Sequence, residues 1–597
     1  MLGGMKRYLF LLLMGAGVCF QPSVVGDPAS DFKALARDYV QQMPALSPIA
    51  ATQIGDHRFD SDIDDVSPAA RQRALATHRE WLRRLHGIDR SALPRQLQVD
   101  AALLQHELRY SIWRAEKFQD WAWNPLVYTG KAGGAIYGLM AREFAPVETR
   151  LRHVIDRLEK LPSLFEQVRA TLQPERVPLV HAETAVKQNR GVLSIIDEMV
   201  LPEATVLSAS DRARLSSAID HVRAAVEEHG DWLENTLLPQ AKGDFRIGRD
   251  LFDEKLAFAL HTPLSREDVK ERAESEFNRV RREMYEISRR IYRELYPLTI
   301  FPETPTEDYR QAIIRAALER CYQDRPLRGQ IPDVARAQVE EASQFVVENK
   351  IVSMTDNPLE IILMPEFQRG VSFAYCDSPG PLDRGLKTFY AVSPIPEDWT
   401  EKQVDSFLRE YNTWSMQDLT MHEAVPGHYL QLAHSNRYPS TLRALLSSGP
   451  FVEGWAVYSE RVMVDAGYLG GDDRMRLINL KWYLRGITNA MMDQAIHVEG
   501  MSREDAMQLM VEGGFQEERE AAGKWVRAQL TSAQLSTYFV GTQEHWDLRR
   551  TMEREWGEEF NLLRYHDQLL SYGSPPVQFV RAIMLGEPIP ETRESGE

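Results

Sequence analysis

Residues 421–431 read M-H-E-A-V-P-G-H-Y-L-Q. The order approaches the His-Glu-x-x-His signature, in which one helix face offers two imidazoles to a metal beside a glutamate. Here His428 follows His422 by six positions, not four. On a regular helix that offset is about 240°, with the Cα atoms about 9 Å apart, so a straight helix cannot chelate with this pair. Pro426 changes the geometry. It lacks an amide, and its ring clashes with the carbonyl four residues back, that of His422. Gly427 can then adopt a backbone conformation other residues avoid. The chain is expected to break or bulge here and swing His428 back toward His422. The competing reading is a helix that simply ends at Val425, with His428 opening the next one and no shared ion.

Fifteen histidines in 597 residues make His-Glu-x4-His uncommon by accident, on the order of a few hundredths per chain. A third ligand is available further on. The stretch G-P-F-V-E-G-W-A-V-Y-S-E, 449–460, has helical character and offers Glu453 and Glu460. Zinc hydrolase centres commonly combine two histidines with one glutamate and leave a position for water. Glu453 stands among Phe451, Val452, Trp455 and Ala456, where an unpaired carboxylate is costly and a metal relieves the cost.

Outward from this stretch the chain reads as amphipathic helix. Apolar residues recur at helical spacing over 30–43, where Ser30 or Asp31 is available as cap, and over 67–86, 97–118, 145–171, 208–237, 265–295 and 307–323. Prolines punctuate them at 94, 174–178, 202, 239 and 263. One interruption lies at about 355–395. There N-P-L-E-I-I-L-M-P-E-F and G-L-K-T-F-Y-A-V-S are β-rich runs split by the turn-forming C-D-S-P-G-P-L-D-R-G, which predicts a hairpin or small sheet just before the motif. Helices resume at 398–425, 440–465, 473–498, 502–512, 515–530, 532–556 and 562–570. The fold class is therefore mostly α, a large multi-helical body with a small β-sheet next to the site. It is read as a single domain over 27–597, with a lobe boundary, if there is one, near 250–300.

Hydrophobic residues are 43% and charged residues 26%, ordinary for a globular chain. The net charge of −17 repels phosphate backbones and argues against nucleic acid as a partner. At the N-terminus, Lys6 and Arg7 precede the apolar run Tyr8–Phe20, with small residues at 24–26. That pattern is a signal peptide over 1–26, with export to the periplasm or beyond. Cys19 leaves a lipid anchor open, although Val18 occupies a position where lipid attachment prefers a small residue. No later segment is apolar enough to span a bilayer. Only Cys321 and Cys376 remain after the leader, and their approach cannot be read from spacing.

With His-Glu-x-x-Pro-Gly-His followed by Glu-Gly-Trp-Ala, the chain resembles the bacterial family catalogued as domain of unknown function 885. The likeness extends to Y-H-D-Q-L-L-S-Y-G-S-P-P-V at 565–577 and S-T-Y-F-V-G-T-Q-E-H-W-D-L-R at 536–549. That family is similar to helical zinc metallopeptidases such as thimet oligopeptidase and angiotensin-converting enzyme. Their third ligand is a glutamate about 25 residues past the second histidine, matching Glu453, although their strict His-Glu-x-x-His is not kept. The likeness implies one zinc held by His422, His428 and Glu453. Glu423 would be the general base and Tyr538 the donor to the carbonyl oxygen, against a competing reading of Tyr538 as core. It also implies an edge strand that pairs with extended peptide.

Weaker candidates are Asp493 and His497, which share a helix face and could orient a ligand or touch substrate, against a plain helix-surface pair, and Arg549, suited to a substrate carboxylate or equally to a structural ion pair. His566 matches a family position without a derivable role, and His434 is expected at the surface. The functional expectation is an exported zinc metallopeptidase of short peptides, a carboxypeptidase or dipeptidyl carboxypeptidase among the options. Hydrolysis of a non-peptide amide or ester is the alternative. A non-catalytic peptide- or metal-binding protein is the third reading, which Glu423 disfavours because a binding site needs no general base.

Overall fold

The computed structural model describes residues 27–365 and 372–590. The signal segment with Cys19 lies outside the described residues, as do positions 366–367 of the first β-rich run. The protein is 72% helical, with a small three-stranded sheet. The expected helices form as Pro68–His86, Val147–Thr171 and Arg266–Leu295, each led by a hydroxyl or proline at its N-terminus. The first helix, Pro28–Gln42, is capped by Asp27, not by Ser30 or Asp31. Leu126–Met140 is a helix the pattern missed, because four glycines dilute its periodicity. Two of them, Gly134 and Gly138, let the helix Pro48–Gln53 approach closely.

Three large apolar cores carry the fold. One spans Ile49 to Leu237, a second spans Phe252 to Val540, and a third spans Ile331 to Val580 and encloses the motif. The core changes between Leu237 and Phe252. Cys321 and Cys376 are both free thiols. Among the described residues no helix is long and apolar enough to cross a membrane.

The sheet differs from a hairpin. Strands β1 (Leu359–Leu363), β2 (Ala374–Asp377) and β3 (Thr388–Val392) lie in the order β1-β3-β2. The two runs read as strands pair in parallel, Leu359 beside Thr388. A further strand, A-Y-C-D, which runs into the start of the turn-forming stretch, pairs antiparallel with β3. A parallel pair needs a longer crossover than a tight turn, and β2 lies within that crossover.

The continuous helix expected over 398–425 is two, Glu401–Glu410 and Thr413–Glu423, the second (the motif helix) capped by Asn412, which accepts from Trp414 N and Ser415 N. Two further helices frame the site: Gly449–Asp465 (the glutamate helix) and Ser536–Trp556 (the tyrosine helix). They cross at paired glycines. A Cβ on Gly541 would lie 1.9 Å from Pro450 O, and one on Gly454 would lie 2.3 Å from the Gly541 carbonyl carbon. Beside this crossing, His566 is buried with both nitrogens engaged, Nδ1 donating to Ile351 O at 2.7 Å and Nε2 accepting from Tyr458 Oη at 2.8 Å. That arrangement needs a neutral ring, and burial pushes its pKa down to about 3.

Gly541→Ala should cost about 3 kcal/mol or more, because the clash is with backbone on both sides and cannot be relieved by a rotamer; thermal melting checks it. His566 titrates near 6.5 when unfolded and near 3 when folded, so the unfolded chain takes up the proton first as pH falls. Its contribution to stability is whole above pH 6.5 and declines by about 1.4 kcal/mol per pH unit toward pH 3. Urea titrations at stepped pH should show His566→Gln losing one proton's worth of that slope.

Candidate metal centre and its cleft

The break at Pro426 is complete. The motif helix stops at Glu423, a cis Val425–Pro426 peptide follows, and a new helix runs His428–Ser435. Two hydrogen bonds span six residues instead of four: Gly427 N donates to Met421 O at 2.9 Å and Leu430 N to Ala424 O at 3.4 Å. Gly427 has φ −72° and ψ −134°, outside the α and β regions. A Cβ there would sit 1.8 Å from His422 O, so only glycine fits. Trp455 Nε1 donates to Pro426 O at 2.9 Å and ties the break to the glutamate helix. Both sequence readings therefore hold in part. The helix ends, and the rings still converge, with centroids 4.6 Å apart at 83°.

Glu453 completes the set. The ligand atoms of His422, His428 and Glu453 all lie within 4.8 Å of one another, and no other group of three or more such residues is found among the described residues. Glu453 Oε2 is 3.4 Å from His428 Nε2 and 3.7 Å from His422 Nε2. Tetrahedral ligands at about 2.1 Å from one ion sit about 3.4 Å apart, so the spacing fits groups that share an ion.

Glu460, two turns beyond Glu453, takes the other side of the same ring, with Oε1 2.6 Å from His422 Nδ1. An ionised carboxylate only accepts, so Nδ1 is the donor and Nε2 is turned toward Glu453, the orientation that metal-binding histidines receive from an outer carboxylate. Asp418 and Asn479 stand behind Glu460, Asn479 Nδ2 donating to Asp418 at 2.9 Å.

The electrostatics favour positive charge between the carboxylates. Burial lowers the affinity of His422 for a proton, but Glu453 and Glu460 outweigh it and hold the ring well above its usual pKa. Burial also works against ionised Glu453, yet the two imidazoles keep it below the ordinary carboxylate range. The pull that fixes a proton on His422 is the pull a divalent ion would feel.

Glu423 lies beside the set without joining it. Its Oε2 accepts from Cys376 N on β2 at 2.9 Å, and burial raises its pKa against the opposing effect of the two histidines. Cys376 N–H thus points away from β3. By the alternation of an antiparallel ladder, Ala374 turns its N–H and C=O the same way. Among the described residues β2 is an edge of the sheet, and Ala374 lines a cavity of about 570 Å³ together with His422, Glu423, Glu460 and Tyr538. Tyr538 is thus at the site, its hydroxyl accepting from Arg527 Nη2 at 3.0 Å.

Three sequence candidates lie elsewhere. Asp493 is buried and caps the start of the tyrosine helix, accepting from Ala533 N and from the N and Oγ of Ser536. His497 lies in a π-helical turn and bonds Ala528 O at 3.0 Å. Neither lines the cavity. Arg549 also faces away, paired with Glu553 at 2.8 Å and stacked over Trp546. His566 is the packing residue described above. His434, expected at the surface, is half-buried and hydrogen-bonded to Ser353 O. The residues the sequence missed are on the cavity's far wall, Lys524 and Arg527; two cations, each seven residues after a glutamate (Glu517 and Glu520), gave no signal beyond an ordinary amphipathic helix.

No curated protein matches the chain. Solved structures do, two of them as follows. A "putative lipoprotein of unknown function" from Shewanella oneidensis is 32% identical, with a TM-score of 0.78 over 93% of this chain and 99% of that one. A "putative lipoprotein" from Colwellia psychrerythraea is 17% identical, with a TM-score of 0.74 over 94% and 99% of the two chains, and shows likeness of fold alone. The family described as bacterial protein of unknown function (DUF885) matches residues 48–584. The chain belongs to that family.

Proposed function

We propose that the protein is a metal-dependent hydrolase of short peptides. The observation that carries this reading is the pairing of a two-histidine, one-glutamate set with a separate glutamate, Glu423, that is held off the ligand set by a backbone amide. A site built only to bind metal has no use for that fourth group. The residues suit zinc in number and donor type. A divalent ion at His422, His428 and Glu453 would polarise the substrate carbonyl and lower the pKa of an attached water to about 7.

The chain's own residues supply the rest. Glu423, desolvated and so a stronger base than an exposed carboxylate, takes the water's proton and returns it to the departing amine. Tyr538 accepts from Arg527 and so keeps its own hydroxyl proton for the substrate oxygen as charge develops there. The outward N–H and C=O of Ala374 offer two hydrogen bonds to an extended peptide added along β2. The cavity suits a short, unfolded segment. Export is part of the same proposal, supported by the Lys6-Arg7 and Tyr8–Phe20 leader pattern and by the name of the Shewanella oneidensis relative.

Glu423→Gln should retain bound metal, measured by elemental analysis, while hydrolysis of a peptide library read by mass spectrometry falls at least about a hundredfold. Undiminished hydrolysis in that variant removes the mechanism. Glu460→Gln should weaken metal affinity by about ten- to a hundredfold through loss of ring orientation, as chelator competition would report.

A further inference from the structure

Opposite the metal-ligand set, the cavity is walled by one face of the helix Glu518–Leu530. Glu520, Gly523, Lys524 and Arg527 line it, at the three- and four-residue spacing that stacks side chains on one side of a helix. Around this end of the cavity stand four cations, Arg485, Arg519, Lys524 and Arg527, against three carboxylates, Glu410, Glu517 and Glu520.

The carboxylates are largely committed. Glu410 accepts from Lys481 at 2.8 Å, from Arg485 at 3.4 Å and from Glu517 N at 3.2 Å. Glu520 accepts from Arg485 and from Tyr411 Oη at 3.1 Å. Glu517 has Arg409 at 3.5 Å. On the cationic side, Arg519 lies over the Trp399 ring. Arg527 spends one nitrogen on the neutral groups Gln534 and Tyr538. Lys524 is only 8% exposed, and its ammonium has no hydrogen bond or ion pair among the described residues. Burial, with Arg485 and Arg527 nearby, pushes its pKa down to about 7. The side chain is buried up to an ammonium that has no acceptor among the described residues and opens on the cavity, the same space that leads to Glu423.

We propose that Lys524 and Arg527 form the receptor for a substrate carboxylate, so that this cavity takes peptides bearing a free carboxylate one subsite from the bond beside Glu423. This rests on the hydrolase reading above and narrows its substrate class. With the three carboxylates engaged by Lys481, Arg485 and Arg409, positive charge is left over at Lys524 and Arg527 for an incoming anion. The guanidinium fork and the ammonium lie one helical turn apart, suited to the two oxygens of one carboxylate. Arg527 would then connect the two ends of the substrate, touching its carboxylate and holding the Tyr538 hydroxyl beside its carbonyl. The carboxylate is either the peptide's C-terminus or an Asp or Glu side chain, and the experiment separates these.

Binding is measured by calorimetry on the full chain carrying Glu423→Gln, so that no probe is consumed. The probes are N-acetyl-Ala-Ala, its C-terminal amide, and N-acetyl-Ala-Glu amide. The free acid should bind about ten- to a hundredfold more tightly than the amide, the value of a hydrogen bond to a charged group. Adding Lys524→Met should abolish the difference, and Lys524→Arg should restore most of it. Tight binding of the glutamyl amide and not of the free acid assigns the receptor to a side-chain carboxylate. Equal binding of all three probes, or a preference that survives Lys524→Met, overturns the proposal. In the Glu423-intact protein, Lys524→Met should raise KM for the free acid with little change in kcat or metal content. A carboxylate preference in binding without hydrolysis of any peptide would keep the receptor and remove the hydrolase reading.

Discussion

Everything at the site depends on the contact between Gly427 and the carbonyl of His422. Two helices meet there at a distance that admits no side chain, and their junction closes with hydrogen bonds that skip six residues. The break costs the motif region regular helical bonds, and Trp455 and the surrounding apolar core hold it in place. It converts a spacing that would scatter the two imidazoles into one that brings them edge to face. Glu453 and Glu460 then act on a ring already positioned, and Glu423, one residue on, is left pointing at the sheet.

The site is thus assembled from elements with different tasks. The motif helix and the glutamate helix bring the ligands together. β2 contributes a backbone amide that sets Glu423 and an edge that faces the cavity. The glycine crossing between the glutamate and tyrosine helices fixes how far Tyr538 stands from the ligands, because neither helix can move outward without opening a gap or inward without a clash. Asp493, buried and fully hydrogen-bonded, anchors the loop that starts the tyrosine helix.

Much of this was legible in the sequence. His422, His428 and Glu453 could be found because residue type, spacing and an apolar setting agree, and Pro426-Gly427 announced the break. Glu460 was offered by the same stretch, and its spacing of seven from Glu453 places both on one helix face. Arg549 could be read as a substrate anchor or as a structural ion-pair partner, and Glu553, four residues on, takes it as the latter. Asp493 and His497 were read as a regular helical pair, but the second falls in a π-helical turn and both serve a buried loop. The strand A-Y-C-D was hidden by turn-forming neighbours, and nothing local signals the parallel pairing of β1 with β3 across about thirty residues. Lys524 was invisible for a different reason: what distinguishes it is a missing partner, and a sequence lists residues without showing which of them meet.

The grip of one helix on both nitrogens of His422 has a mechanical consequence. Glu453 and Glu460 ride on the same rigid segment, so any slide or twist of Gly449–Asp465 displaces ligand and support together. The centre has no half-assembled form in which the ring keeps one carboxylate and loses the other. A single-residue insertion or deletion between positions 453 and 460 would turn the two carboxylates to different sides of the helix and dismantle the clamp at a stroke, which makes the length of that short stretch as constrained as the identity of its acids.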